Sequence, residues 1–220
     1  MGYFPFFVDL KGKKGLIVGG GTIAYHKICK LLPYESDIEV IAKSFNDEIL
    51  SLKDIYDQGD ETIDSPDGSF TLVERDFKDS DIDGKLFVIA ATDDAGLNAH
   101  IYDICTERGL LVNVVDDKDR CGFMFPSLVK KGKLSIGIST EGASPRIATI
   151  YRKKLEEEIP DEMEEILLYL ESIRPAVKTA IAEEKVRAQM FKEIADECLS
   201  TLSIPDDDWF QGILSKYTKK

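Results

Sequence analysis

Leu16-Ile17-Val18-Gly19-Gly20-Gly21-Thr22-Ile23-Ala24 runs from an apolar segment straight into a glycine cluster and on into a helical pattern. Gly19, Gly21 and Ala24 fill a G-x-G-x-x-A spacing. In a dinucleotide site the first glycine permits a tight turn after a strand, and the second lets a pyrophosphate approach bare backbone. A small third residue lets the helix pack closely on the sheet. The helix that begins here, with Thr22 and Ile23 in its first turn, offers unpaired N–H groups and a positive dipole end to phosphates. A plain glycine turn is the competing reading. Strand–helix alternation around the cluster favours the dinucleotide loop.

Outward from the loop, 15–18 reads as a buried strand. Phe4, Phe6, Phe7 and Val8 before it are apolar with strand character, and 9–14 is a polar turn. Downstream the periodicity predicts a helix from Thr22 to about Leu32, with Ile23, Ile28, Leu31 and Leu32 as its apolar stripe and Pro33 as its stop. A strand over 38–42, a helix over 45–56, a polar loop over 57–68 and strands over 70–74 and 86–90 follow. Asp93 or Asp94 caps a helix from Ala95 to about Arg108, with Gly109 closing it, and 110–115 is a fifth strand. Such alternation implies an α/β fold built on a Rossmann-type, doubly wound parallel sheet.

The pattern then changes. Segments 123–129 and 133–140 are extended around Lys130-Lys131-Gly132 and read as an antiparallel hairpin. Its Phe-rich arm is more apolar than a solvated edge, which suggests pairing with a second subunit; burial against its own Rossmann domain is the alternative. From Ser144, a cap followed by Pro145 at the first helical position, the chain is helical. Pro160, Pro175 and Pro205 divide it into helices near 145–158, 161–173, 176–201 and 206–217. The acidic residues over 161–165 read as a solvated first turn. The expected domains are an NAD-binding Rossmann domain over 1–115, a dimerisation hairpin segment over 116–143 and a helical carboxy-terminal domain over 144–220.

Composition excludes several classes. Of 220 residues 43% are hydrophobic, which suffices for a core. No apolar run approaches the roughly 20 residues that cross a bilayer. Met1-Gly2-Tyr3-Phe4 lacks the basic start of a signal peptide, so a cytoplasmic protein without membrane association is expected. A net charge of −13 argues against nucleic acid as a partner. Cys29, Cys105, Cys121 and Cys198 stand far apart, with no histidine at ligand spacing, so no metal site is expected. His26 and His100 fall in helices, where structural roles are the rule.

Chemistry concentrates at the carboxyl ends of the strands, where ligands of open α/β sheets sit. Thr92 and Asp93 follow the fourth strand, and Asn113 lies on the fifth, just before Asp116. Asp116 could take a proton while a hydride leaves for a nicotinamide, or could be a loop residue. After the second strand stands Lys43, where NAD-preferring sites usually carry an acid. It could face a 2′-phosphate or be a solvated loop lysine, so the residues alone leave NAD against NADP open. Basic residues gather at Lys118, Arg120, Lys130, Lys131, Lys133, Arg146, Arg152, Lys153 and Lys154. They could hold an anionic substrate, with Arg146 the first choice, or be solvated faces.

Five motifs occur in order: Val18-Gly19-Gly20-Gly21-x-x-Ala24, Ala90-Ala91-Thr92-Asp93, Asn113-Val114-Val115-Asp116, Phe125-Pro126-Ser127 and Ser139-Thr140-x-Gly142-x-Ser144-Pro145. Together they resemble the precorrin-2 dehydrogenase family, including the amino-terminal half of siroheme synthase, over about residues 1–158. The resemblance implies NAD as cofactor and precorrin-2, a tetrapyrrole polycarboxylate, as substrate, oxidised to sirohydrochlorin in siroheme biosynthesis. Some members also insert Fe2+. It further implies a homodimer, Asp116 as the catalytic carboxylate, and Gly19, Gly21, Ala24, Thr92 and Asp93 at the cofactor. Ser139, Thr140 and Arg146 are the candidates for substrate contact. One departure is Glu141, where siroheme synthases carry glycine, which adds a negative charge beside a polycarboxylate. The rival reading is an NAD(H)-sensing Rossmann module without turnover.

Overall fold

A computed structural model describes residues 4–59 and 68–218. Met1, Gly2, Tyr3 and most of the expected 57–68 loop lie outside the described residues. The chain divides into two compact units: Phe6–Phe125 form the first, and the chain from Pro126 forms the second, with which Phe4 and Pro5 cluster. Residues 116–125, assigned above to the hairpin segment, thus go with the first unit.

In that unit five parallel strands, β1 (Lys14–Val18), β2 (Asp37–Ala42), β3 (Ser69–Glu74), β4 (Phe87–Ala90) and β5 (Leu111–Val114), lie in the order β3-β2-β1-β4-β5. The order reverses at β1, the switch point beside which dinucleotides bind. Side-chain alternation splits the core in two. Ile17, Ile38, Val40 and Ile89 point to one face, where they meet Ala24, Ile28 and Leu31 of α1 (Thr22–Leu31) and Ile49 of α2 (Asp47–Asp57). Leu16, Val18, Ile41 and Val88 point to the other, against Ile101 and Cys105 of α3 (Ala95–Glu107). The buried stripe of α1 is therefore Ala24, Ile28 and Leu31, while Ile23 is exposed. Between β3 and β4 the crossover is short; Ile82 plugs it into the core and Arg75 grips Asp81 with two hydrogen bonds of 2.7 and 2.8 Å.

Two expectations fail. The segment 4–8 forms no strand, and Phe4, Phe6 and Phe7 are 80%, 72% and 78% exposed. Strand propensity without a partner edge leaves no ladder to join. The Phe-rich arm is also not an unpartnered apolar surface: Phe123 and Phe125 pack on the β1–α1 core, Phe123 edge-on to Phe87 at 6.4 Å.

In the second unit β6 (Ser127–Lys131) and β7 (Leu134–Ile138) pair antiparallel, joined at Gly132 and Lys133, one position later than the expected turn. Helices α4 (Pro145–Glu158), α5 (Met163–Ser172), α6 (Arg174–Ala180), α7 (Glu184–Thr201) and α8 (Asp207–Thr218) follow. Ser144 caps α4, accepting from the Ile147 N–H at 3.3 Å. The helix expected over 176–201 is broken. Pro175 sits inside the first turn of α6, where its missing N–H costs nothing. The break comes instead at 181–183, because Ile181 turns into a core of Ile166, Val177, Met190 and Ile194. Arg187 then takes the freed Ile181 and Ala182 carbonyls at 2.9 and 2.6 Å. Among the described residues no helix is long and apolar enough to cross a membrane.

Candidate functional site

The glycine loop is shaped by what each position touches. Gly19 has φ +129, a conformation that side chains rarely adopt, and a methyl group there would lie 2.6 Å from the Ala91 carbonyl carbon. At Gly20 a methyl group would overlap the Ser44 carbonyl oxygen and stand 2.9 Å from the Ala42 Cβ. Gly21 differs: its φ is −96 and nothing lies within 4 Å of a methyl group built on it. It caps α1 with no side-chain acceptor and with no acid in the first turn. The start of α1 thus has no side-chain cap and open space beside the bare Gly21 backbone, which fits a pyrophosphate. Thr22, at the first helical position, donates its hydroxyl to Glu48 Oε2 at 3.3 Å.

The loop after β4 lies next to this one, since Gly19 abuts Ala91. Asn98 of α3, buried, organises it: its Oδ1 accepts from the Thr92 hydroxyl at 2.7 Å and the Thr92 N–H at 3.3 Å, and its Nδ2 donates to the Thr92 carbonyl at 2.9 Å. Asp94 is the cap of α3, accepting from Gly96 and Leu97 at 2.8 and 3.0 Å. Asp93 is exposed and takes no part in that cap.

After β5 the Asn113 amide spends its N–H groups on the Cys121 sulfur at 3.3 Å and the Phe123 carbonyl at 3.0 Å, pinning the returning chain against the strand end. Asp117 caps the short turn 118–120 and pairs with Arg120 at 3.1 Å. Asp116 is exposed, with φ 62, and makes no hydrogen bond to the described residues. A left-handed aspartate costs on the order of 1 kcal/mol. Because all five strands are parallel, Gly19, Thr92 and Asp116 stand along one edge of the sheet.

Sequence reasoning passed over a cation in this unit. Lys27 of α1 is half-buried, its Nζ 4.0 Å from the centre of the Phe125 ring. Burial and the neighbouring Lys30 lower its pKa, while Cys121 and Asp116 draw it back up. Its signal was a lysine on the same helical face as Ala24 and Leu31. Burial in turn pushes the Cys121 thiol up, which keeps it protonated.

Ser139, Thr140 and Arg146 belong to the second unit, in one turn. The hydroxyls of Ser139 and Thr140 accept from the Glu141 and Ser144 N–H groups at 3.0 and 3.1 Å, building the entry to α4. Glu141 is left-handed, with φ 50. Arg146 is exposed and makes no ion pair with the described residues. Other members of the basic segment are spent: Lys131 on Asp161 at 2.6 Å, Lys133 on Glu171 at 2.6 Å and Arg152 on Glu156. Among the described residues no group of histidine, cysteine and carboxylate side chains could hold a metal ion.

Comparison with known proteins agrees with this geometry. Residues 6–127 match a family model described as "Putative NAD(P)-binding", and residues 131–158 match the sirohaem biosynthesis protein central model. Siroheme synthase of Thioalkalivibrio sulfidiphilus is 33% identical over 196 residues, covering 89% of this chain and 38% of that protein. Siroheme synthase 1 of Yersinia enterocolitica is 35% identical over 192 residues, covering 87% and 38%. The chain thus spans well under half the length of these relatives. In fold it is similar to SirC, a precorrin-2 dehydrogenase, with a TM-score of 0.71 at 22% identity, covering 99% of this chain and 100% of that one. The first model alone spans more than half of the sequence, and the chain belongs to the putative NAD(P)-binding family that this model describes.

Proposed function

We propose that this chain is an NAD-dependent dehydrogenase that oxidises precorrin-2 to sirohydrochlorin. The observation that carries the reading is the shared sheet edge: a helix start with no side-chain cap beside bare Gly21, and a left-handed Asp116 beyond β5 that is unpaired among the described residues. The N–H groups of the first turn of α1 hold the pyrophosphate, and the loops after β4 and β5 flank the nicotinamide end. NAD+ supplies a two-electron acceptor. Loss of two hydrogens from the macrocycle then divides into a hydride, which reduces NAD+ to NADH, and a proton, which the Asp116 carboxylate takes. Lys27 is the cation we assign to a peripheral carboxylate of the substrate. Asn113 and Asp93 remain on the cofactor side in this proposal, Asn113 through its hold on the loop. Location in the cytoplasm and assembly as a homodimer belong to it too. Ile147, Ile150 and Tyr151, exposed on one side of α4, support self-association.

Anaerobic turnover of precorrin-2 with NAD+, followed by absorbance, tests the proposal. Wild type should release NADH as sirohydrochlorin forms. Asp116→Asn, which tolerates the left-handed backbone, should lose about 10²–10⁴-fold in rate while still binding NADH. Tight NADH binding by wild type without any turnover would overturn the dehydrogenase reading in favour of an NAD(H) sensor. Fe2+ added after oxidation reads metal insertion as a second spectral change.

A further inference from the structure

Dinucleotide folds that choose NAD+ commonly carry an acid at the end of the second strand, on the ribose diol. Here the strand ends at Ala42, buried beneath Gly20, and Lys43 and Ser44 follow it, with no acid among the three. The chain beyond it lies flat on the glycine loop: the Ser44 carbonyl abuts Gly20, and the Asn46 N–H donates to the Gly20 carbonyl at 2.9 Å. Asn46 then caps α2, accepting from the Ile49 N–H at 3.0 Å. This route brings Glu48, in the first turn of α2, beside the first residue of α1. Its Oε2 accepts from Thr22 Oγ1 at 3.3 Å and from Asn46 Nδ2 at 3.1 Å, while Oε1 receives no bond from the described residues. Lys43, the lysine after this strand, is exposed and lies 3.2 Å from Asp76, itself exposed.

We infer that Glu48 is the residue that selects NAD+ over NADP+, supplying from α2 the carboxylate that the end of β2 lacks. This rests on the dinucleotide site proposed above. A ribose 2′-hydroxyl can donate to the vacant Oε1. A 2′-phosphate in the same place brings a second anion against a carboxylate that two hydrogen bonds hold in position. Discrimination thus comes from repulsion of the wrong nucleotide as much as from attraction of the right one.

Fluorescence titration with NADH and NADPH tests the assignment on wild type, Glu48→Gln and Glu48→Ala. Gln keeps an acceptor for Thr22 and Asn46 and removes only the charge; Ala removes both. Wild type should bind NADH at least about tenfold more tightly than NADPH, and both variants should shift that ratio about tenfold toward NADPH. Thermal melts identify any variant that is not folded. An unchanged ratio in a folded variant, or no preference in wild type, overturns the role of Glu48 while leaving the dinucleotide site standing. Failure of wild type to bind either nucleotide overturns the site itself and this assignment with it.

Discussion

Replacing Gly20 and Gly21 by alanine, one at a time, separates packing from ligand recognition within two adjacent residues. A methyl group at Gly20 would stand 3.0 Å from the Ser44 carbonyl carbon, overlap its oxygen and press on Ala42 at 2.9 Å. Carbon contacts settle near 3.5–4.0 Å, so the 44–46 backbone must retreat by about 1 Å. Overpacking of that kind costs about 1–3 kcal/mol. For a chain of this length, that lowers Tm by roughly 2–12 °C. At Gly21 the same methyl group meets open space and an ordinary φ of −96. Reduced freedom of the unfolded chain and a poorer cap nearly cancel, leaving Tm within about 2 °C of wild type. Its methyl group would, however, stand where the pyrophosphate meets the backbone. Losing one or two charge-assisted hydrogen bonds there weakens NADH about 10–100-fold. Differential scanning calorimetry and NADH fluorescence titration measure the two effects. Unchanged NADH affinity in Gly21→Ala would refute the phosphate-facing role of the open space, and an unchanged Tm in Gly20→Ala would refute the packing argument.

Lys27→Met keeps the apolar stem over Phe125 and removes the charge; steady-state kinetics should show KM for the tetrapyrrole raised about tenfold or more, with NADH affinity unchanged. Because burial lowers the Lys27 pKa, the wild-type KM should start to climb at a lower pH than an ordinary lysine would dictate, and Lys27→Arg should move that limb to higher pH. Asn98→Ala removes the three hydrogen bonds that shape the Thr92 loop, and should cost about 1–3 kcal/mol of stability by chemical denaturation and weaken NADH as well. The Arg75 hydrogen bonds depress the Asp81 pKa from 3.8, so this pair contributes stability above about pH 4 that is lost as pH falls through the lowered native value. Asp81→Asn should therefore melt below wild type at pH 7, and the gap should close in acid.

The parallel sheet was legible because its strands are short apolar runs, each followed by a glycine-rich or polar stretch. The cap at Ser144 and the αL glycine at Gly109 carry equally local signatures. What escaped was written in partners distant along the chain. Nothing near 181 stops a helix; the break exists because Ile181 gains more from the core around Met190 than from one further helical turn. The aromatic arm at 123–125 suggested a second subunit, since a composition rich in phenylalanine does not say whose core it completes, and here Phe87 and α1 of the same unit take it. The candidate site divides in the same way. Gly19, Gly21 and Asp116 stand out as residue types at strand ends, whereas Lys27, Asn98 and Glu48 sit within ordinary helical patterns. Their roles come from α1, α2 and α3 converging on one sheet edge. For that reason a glycine loop at a strand end could be read from spacing alone, but the carboxylate that we propose for the choice between NAD+ and NADP+ could not: it belongs to the helix after the strand where an acid is usually sought.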